Sequence, residues 1–338
     1  MKTIFQLFIT SLIGAGIFIL ILQKVGLAEI LNAIRSFSVW NGLAVLLLFL
    51  LDYSILTWRW GMVLKSQGYN ISFGKLFAAR LVGFAVNYVT PILYTGGEPA
   101  RAYVLKKEAN VPFVTGLISI IVDEFLEIIC GSIFLMIGIS FLLSYFSVPS
   151  FLLNSLLVVI IALLIFWLYF YRKLKTEKGL FTSIMSFLRL DKINFINKHK
   201  GGVIKLENEL MSFIKYKKTA FLDTILITIC SYIIGIMEVK AITVFLGLNL
   251  SWQYIIIIKI LTILAGVIPI PGALGTLEAA DGLAFMILGL STTLGITFAL
   301  ILRFFNLMLV GGGLFLLSHF GVKLGSIFLS KNLNNNDS

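Results

Sequence analysis

Glu98 and Arg101 follow directly on Gly96-Gly97 and are the residues of this 338-residue chain best placed to do chemistry. A carboxylate and a guanidinium on the first turn of a helix can pass protons and grip an anion. Pro99 suits that first turn, and the free N–H groups of a helix start add a positive dipole end. Arg101 and Arg80 offer forked contacts to a phosphate. Glu278 opens a second such start, after Gly275-Thr276. Asp123 and Glu127 are four apart and share a helix face, with Glu124 adjacent. Carboxylates that close repel one another, and a shared proton relieves the repulsion. Glu98, Asp123, Glu127 and Glu278 are therefore the proton-coupling candidates.

The surroundings of these charges decide what they mean. The chain is 59% hydrophobic and 13% charged. Its apolar runs cover Ile4–Leu22, Val39–Leu64, Leu76–Leu93, Pro112–Leu143, Phe151–Tyr171, Thr219–Leu246, Tyr254–Ile268, Gly275–Leu290 and Thr293–Phe320. Many of these runs suffice to cross a hydrocarbon core of roughly 30 Å. Charge at that depth costs roughly 2.5–3.5 kcal/mol per residue unless it pairs or faces water, so it marks a site by default. No metal is expected, because His199 and His319 are far apart and flanked by no ligand-like residues. No cofactor is expected either: the chain carries no Walker A loop and no H-E-x-x-H. Cys130 and Cys230 lie within spans and predict no disulfide framework.

The net charge of +11 is concentrated. Residues 172–218 hold twelve Lys/Arg against four Asp/Glu. Between two membrane spans, that excess fits the positive-inside rule better than nucleic-acid binding. With the basic loops cytoplasmic, Leu76–Leu105 must enter from the cytoplasm and return to it, broken between Pro91 and Pro99. The Pro269–Gly275 segment breaks the second half in the same way, flanked by the Gly247–Gln253 loop, which has no Lys or Arg.

The pattern predicts an all-α polytopic membrane protein of the cell membrane with both termini cytoplasmic. About six full transmembrane helices and two oppositely oriented re-entrant helical hairpins form a candidate inverted repeat. Residues 1–338 make one integral membrane domain. Its first half, 1–143, holds the hairpin 76–105; its second, 151–320, holds the loop 172–218 and the hairpin 254–290; 331–338 is a disordered tail. The repeat rests on element order, since no residue-level repetition is obvious. Transporters with discontinuous helices share such an order.

The other buried charges have competing structural roles. Arg59, Lys240 and Lys259 suit span ends, where long cations snorkel, and Asp52 and Arg59, seven apart, could pair along one face. Two apolar faces in the cytoplasmic loop, Leu180–Leu188 and Val203–Ile214, would lie in the interface or cap the bundle.

Two motifs carry a family resemblance. Gly96-Gly97-Glu98-Pro99-Ala100-Arg101-Ala102-Tyr103, preceded by Asn87 and Pro91, resembles a signature of the lysylphosphatidylglycerol synthase/flippase-like transmembrane domain family. Pro269-Ile270-Pro271-Gly272-Ala273-Leu274-Gly275-Thr276-Leu277-Glu278 resembles its second, with Ala273 where the family more often has glycine. Arg303 fits a third position. The resemblance covers essentially the whole chain. It implies a lipid-handling membrane domain that moves aminoacylated or otherwise modified phospholipids between leaflets. Larger members append a cytosolic aminoacyltransferase; none is found up to Ser338, so no enzyme activity is expected. The substrate-binding candidates are Arg80, Asn87, Gly96, Gly97, Glu98, Arg101, Glu278 and Arg303, and the expected partners are membrane lipids with an anionic headgroup. A proton-coupled carrier of a small soluble anion, a membrane-embedded enzyme and a scaffold for lipid synthesis are the rival readings. Oligomeric state is not set by these patterns.

Overall fold

Apolar runs without a partner strand satisfy their backbone only as helices, and the computed structural model bears this out. It describes residues 38–89, 97–146, 148–176, 179, 182, 200–268 and 270–320. The expected first span, Pro91, Gly96, most of the first amphipathic loop segment and the tail lie outside these residues. Five helices are long and apolar enough to cross a membrane among the described residues: α1 (Val39–Ser66), α4 (Phe113–Tyr145), α5 (Ser150–Thr176), α7 (Lys218–Phe245) and α10 (Thr292–His319). Shorter helices pair up between them. These are α2 (Phe73–Val89) with α3 (Gly97–Ala109), and α8 (Trp252–Val267) with α9 (Thr276–Ile287). α6 (Lys200–Tyr216) lies on α4 and α7, burying Leu210 and Phe213. This second loop helix therefore caps the bundle, one of the two roles expected of it.

The elements repeat at a fixed separation, although no residue-level repetition is obvious in the sequence. α1 and α7, α2 and α8, α3 and α9, and α4 and α10 each begin 179 residues apart, the separation of Asp52 and Ser231. Local detail follows the same step. Gly68 and Gly247 both end a helix at positive φ, 92° and 79°. Each donates its N–H three residues back, to the Lys65 and Val244 carbonyls at 3.0 Å. Only glycine adopts that left-handed turn without strain. Ser72 and Ser251 accept equivalent backbone bonds where the short helices start.

The two copies run head to tail. Along α1, Asp52 meets Ser231, Arg59 meets Thr228 and Lys217 reaches Ser66, so α7 descends as α1 ascends. The Asp52–Ser231 bond joins equivalent positions and so lies on the pseudo-twofold axis. Packing respects the symmetry: α3 lies on α4 as α9 lies on α10, and α1 on α2 as α7 on α8.

Candidate functional site

The site begins with the helix pair α2–α3. Asn87 near the end of α2 accepts the Gly97 N–H at 2.6 Å and donates to Glu98 Oε1 at 3.1 Å. That ties the start of α3 to the end of α2. Gly83 and Gly97 allow the close approach: a Cβ at Gly83 would strike the Arg101 stem, and one at Gly97 the Gly83 carbonyl. Arg101 is thereby laid across Gly83, with its guanidinium 4.3 Å from the Trp60 ring centroid, a cation–π contact.

α4 supplies the countercharges. Arg101 Nη1 donates to Glu124 Oε1 at 2.8 Å, and its Nη2 lies 3.6 Å from Asp123 Oδ2. Arg80 Nη1 donates to the same Asp123 oxygen at 3.1 Å and to the Leu56 carbonyl at 3.0 Å. Arg59 donates to Asp123 Oδ1 at 2.8 Å, to Glu127 Oε2 at 3.0 Å and to Thr228 Oγ1 at 3.1 Å. Three guanidiniums thus share one fully buried aspartate.

Several expectations change here. Arg59 does not snorkel and does not pair with Asp52. It is fully buried against Asp123, while Asp52 turns to Ser231 across the axis. Two helical turns separate Asp52 from Arg59 by about 10 Å of rise, too far for contact along one helix. Arg59 stands between Asp123 and Glu127 and contacts both carboxylates, at 2.8 and 3.0 Å. Lys259 reaches Glu238 at 3.7 Å rather than the interface. Lys240 does extend outward, to Asn249 Oδ1 at 3.1 Å and over Trp252.

The second helix pair is built differently. Arg303 of α10 donates to Glu278 Oε1 at 2.7 Å and Oε2 at 2.9 Å. It also donates to the carbonyls of Gly272 at 2.8 Å and Ala273 at 3.1 Å, and to Tyr88 Oη of α2 at 3.1 Å. Glu278 Oε2 accepts the Gly275 N–H at 2.9 Å. The Pro271–Ala273 turn runs left-handed, with φ 56° at Gly272 and 48° at Ala273. Glycine would adopt that conformation at 273 without the strain that Ala273 carries. Glu278 and Arg303, expected at the substrate, here hold each other and the turn.

The repeat relates one member of each ion pair, with the sign exchanged, whereas Arg101 matches Ala280 and Glu278 matches Pro99. Glu124 and Arg303 stand at equivalent positions on α4 and α10. In one half α10 carries the cation and α9 the acid; in the other α4 carries the acid and α3 the cation. Arg59 and Glu238 are likewise equivalent, as are Arg80 and Lys259. Arg59 and Glu238 were not among the expected site residues, although this register matches them to each other; Trp60, opposite Val239, carries no such signal.

A cavity of about 510 Å³ lies between the halves. Asp52, Glu98, Glu124, Glu127 and Glu238 line it opposite Arg80, Arg101 and Lys259, with Asn87, Thr262 and Asn306. Glu98 Oε2 and Arg101 Nε and Nη2 are buried without a hydrogen-bond partner. No group of three metal-ligating side chains occurs among the described residues.

Helices of membrane length around a charged internal cavity define a multi-pass helical membrane protein. The family model for the lysylphosphatidylglycerol synthase TM region matches residues 7–312, and the chain belongs to that family. It is similar to a UPF0104 membrane protein of Methanothermobacter thermautotrophicus, 24% identical over 91% of this chain and 93% of that protein. UPF0104 membrane proteins of Pyrococcus horikoshii (22%, 88% and 91% covered) and Methanocaldococcus jannaschii (26%, 81% and 83% covered) are also similar. No solved structure matches the chain.

Proposed function

We propose that the protein translocates a phospholipid or lipid-linked phosphate, holding the headgroup in the cavity between the two helix pairs. The observation that carries this reading is the set of unpartnered atoms on Arg101 and Glu98 at one cavity. A buried polar group without a partner costs about 1–3 kcal/mol. A headgroup phosphate at Arg101, with a donor at Glu98, would offset that cost. A volume of 510 Å³ suits a headgroup, leaving acyl chains in the bilayer.

Charge sets a further requirement. Carboxylates outnumber cations along the cavity wall, five to three. An anion therefore enters with compensating positive charge, as an amine on the same headgroup or as protons. Inverted halves support alternating access, with the two helix pairs as re-entrant hairpins on opposite sides of the membrane. Asn87 and Gly97 position Glu98 in this scheme, Glu124 and Asp123 hold Arg101 in place, and Arg80 braces Asp123.

Leaflet exchange of labelled phospholipids in proteoliposomes tests the proposal. Wild-type protein should accelerate exchange, and Glu98→Gln and Arg101→Ala should abolish most of it. Comparing an amine-bearing with a purely anionic phospholipid tests the charge requirement. Glycerol phosphate and inorganic phosphate are added as competitors and as labelled solutes. Uptake of the solutes without lipid exchange would favour a soluble-anion carrier, and unchanged exchange in both variants would remove the site.

A further inference from the structure

One buried carboxyl has no role in the ion pairs above. Asp281 of α9 is fully buried, and its Oδ2 has no hydrogen-bond partner. Its Oδ1 lies 2.5 Å from Thr262 Oγ1 of α8. The charged groups around it are engaged elsewhere: Lys259 of α8 with Glu238, and Glu278 of α9 with Arg303 of α10. At its own position, α10 presents Gly295 against the Asp281 carbonyl. An ionised carboxylate so placed would be desolvated without compensation, a cost that buried groups avoid by taking up a proton.

Counting hydrogens leads to the same result. Thr262 Oγ1 is also 2.8 Å from the Ile258 carbonyl, one helical turn back. A hydroxyl has one proton to donate. A carbonyl can only accept, so Thr262 donates to Ile258. The proton in the short contact then belongs to Asp281, whose carboxylic acid donates to Thr262. The repeat supplies a control, since the positions 179 residues earlier hold Gly83 and Ala102. Packing of the helix pair therefore does not require a carboxyl or a hydroxyl there. Thr262 also lines the cavity, so it touches both the cavity and the buried acid.

We propose that Asp281 is a proton-binding site reached from the cavity through the Thr262 hydroxyl, loading and unloading one proton per transport cycle. On unloading, the Asp281 O–H bond breaks and its proton moves to Thr262 Oγ1. The hydroxyl's own proton passes to a cavity water, leaving an aspartate and a hydronium; loading is the reverse. Proton binding stands on the geometry alone, whereas its place in a cycle rests on the translocator reading.

Two measurements separate these parts. Infrared difference spectra of the purified protein at neutral pH should show the carbonyl stretch of a protonated carboxyl, shifted in deuterated water. It should vanish in Asp281→Asn and in Asp281→Ala, the latter restoring the residue of the equivalent position. A wild-type protein without that band, or a band that survives in both variants, overturns the site. In proteoliposomes, exchange coupled to one proton should change by up to about tenfold per pH unit. Asp281→Asn, permanently neutral, should flatten that dependence to under about twofold; full retention overturns the coupling role. If wild-type protein moves no lipid, the translocator reading fails and the infrared band alone decides the site.

Discussion

Replacing Arg303 and Arg101 by alanine, one at a time, should have very different consequences although each closes an ion pair between a short helix and the long helix of its own half. Arg303→Ala strands Glu278, whose side chain is fully buried, and takes donors from the Gly272 and Ala273 carbonyls. Removing one partner of a buried pair costs about 3–5 kcal/mol, and nothing nearby replaces the cation. Arg101 differs in every respect that sets the magnitude. Its partner Glu124 is 46% exposed, so that pair contributes only about 0–1 kcal/mol, and Asp123, 3.6 Å from Arg101, keeps Arg59 and Arg80 when Arg101 is removed. Its stacking on Trp60 adds about 1–2 kcal/mol. Against this stands the buried Nε donor, which has no hydrogen-bond partner and costs about 1–3 kcal/mol. Arg101→Ala should therefore change stability by about 1 kcal/mol or less while removing headgroup binding. Denaturant unfolding in mild detergent, followed by tryptophan fluorescence, measures both. Arg303→Ala costing under about 1 kcal/mol, or Arg101→Ala costing as much as Arg303→Ala, would refute the division between a locked pair and a receiving one.

Other expectations use the repeat as its own control. A Cβ at Gly295 would lie 2.5 Å from the Asp281 carbonyl oxygen, whereas at the equivalent Gly116 it would lie 3.4 Å from Ala102. Gly295→Ala should destabilise by about 1–3 kcal/mol, and Gly116→Ala should be neutral or gain up to about 1 kcal/mol of helix propensity, both read by the same unfolding. Ala273→Gly should stabilise by about 0.5 kcal/mol, because relief of the left-handed strain exceeds the added chain entropy; a loss of stability would contradict the strain.

Hydropathy and charge asymmetry, by themselves, determined the membrane class, five of the crossing helices and the two interrupted pairs. Hydrocarbon length and the cost of unpaired backbone leave few alternatives for such runs. The motif residues Asn87, Glu98 and Arg101 were also legible, since glycine, proline and charge together are conspicuous in an apolar chain. Partner choice was not. Asp52 and Arg59 share a helix face, yet each bonds across to another helix, because side chains seven apart on one helix stand too far from each other to meet. Glu278 and Arg303 read as ligand groups from their motifs, and nothing in the sequence showed that they also hold a left-handed turn together. The register of 179 residues was present in the sequence throughout, carried by a few glycines and serines that no apolar pattern emphasises. Only the tertiary structure decided which charges are mutually satisfied and which are left open, because that depends on how closely α2, α3 and α4 approach around Gly83 and Gly97.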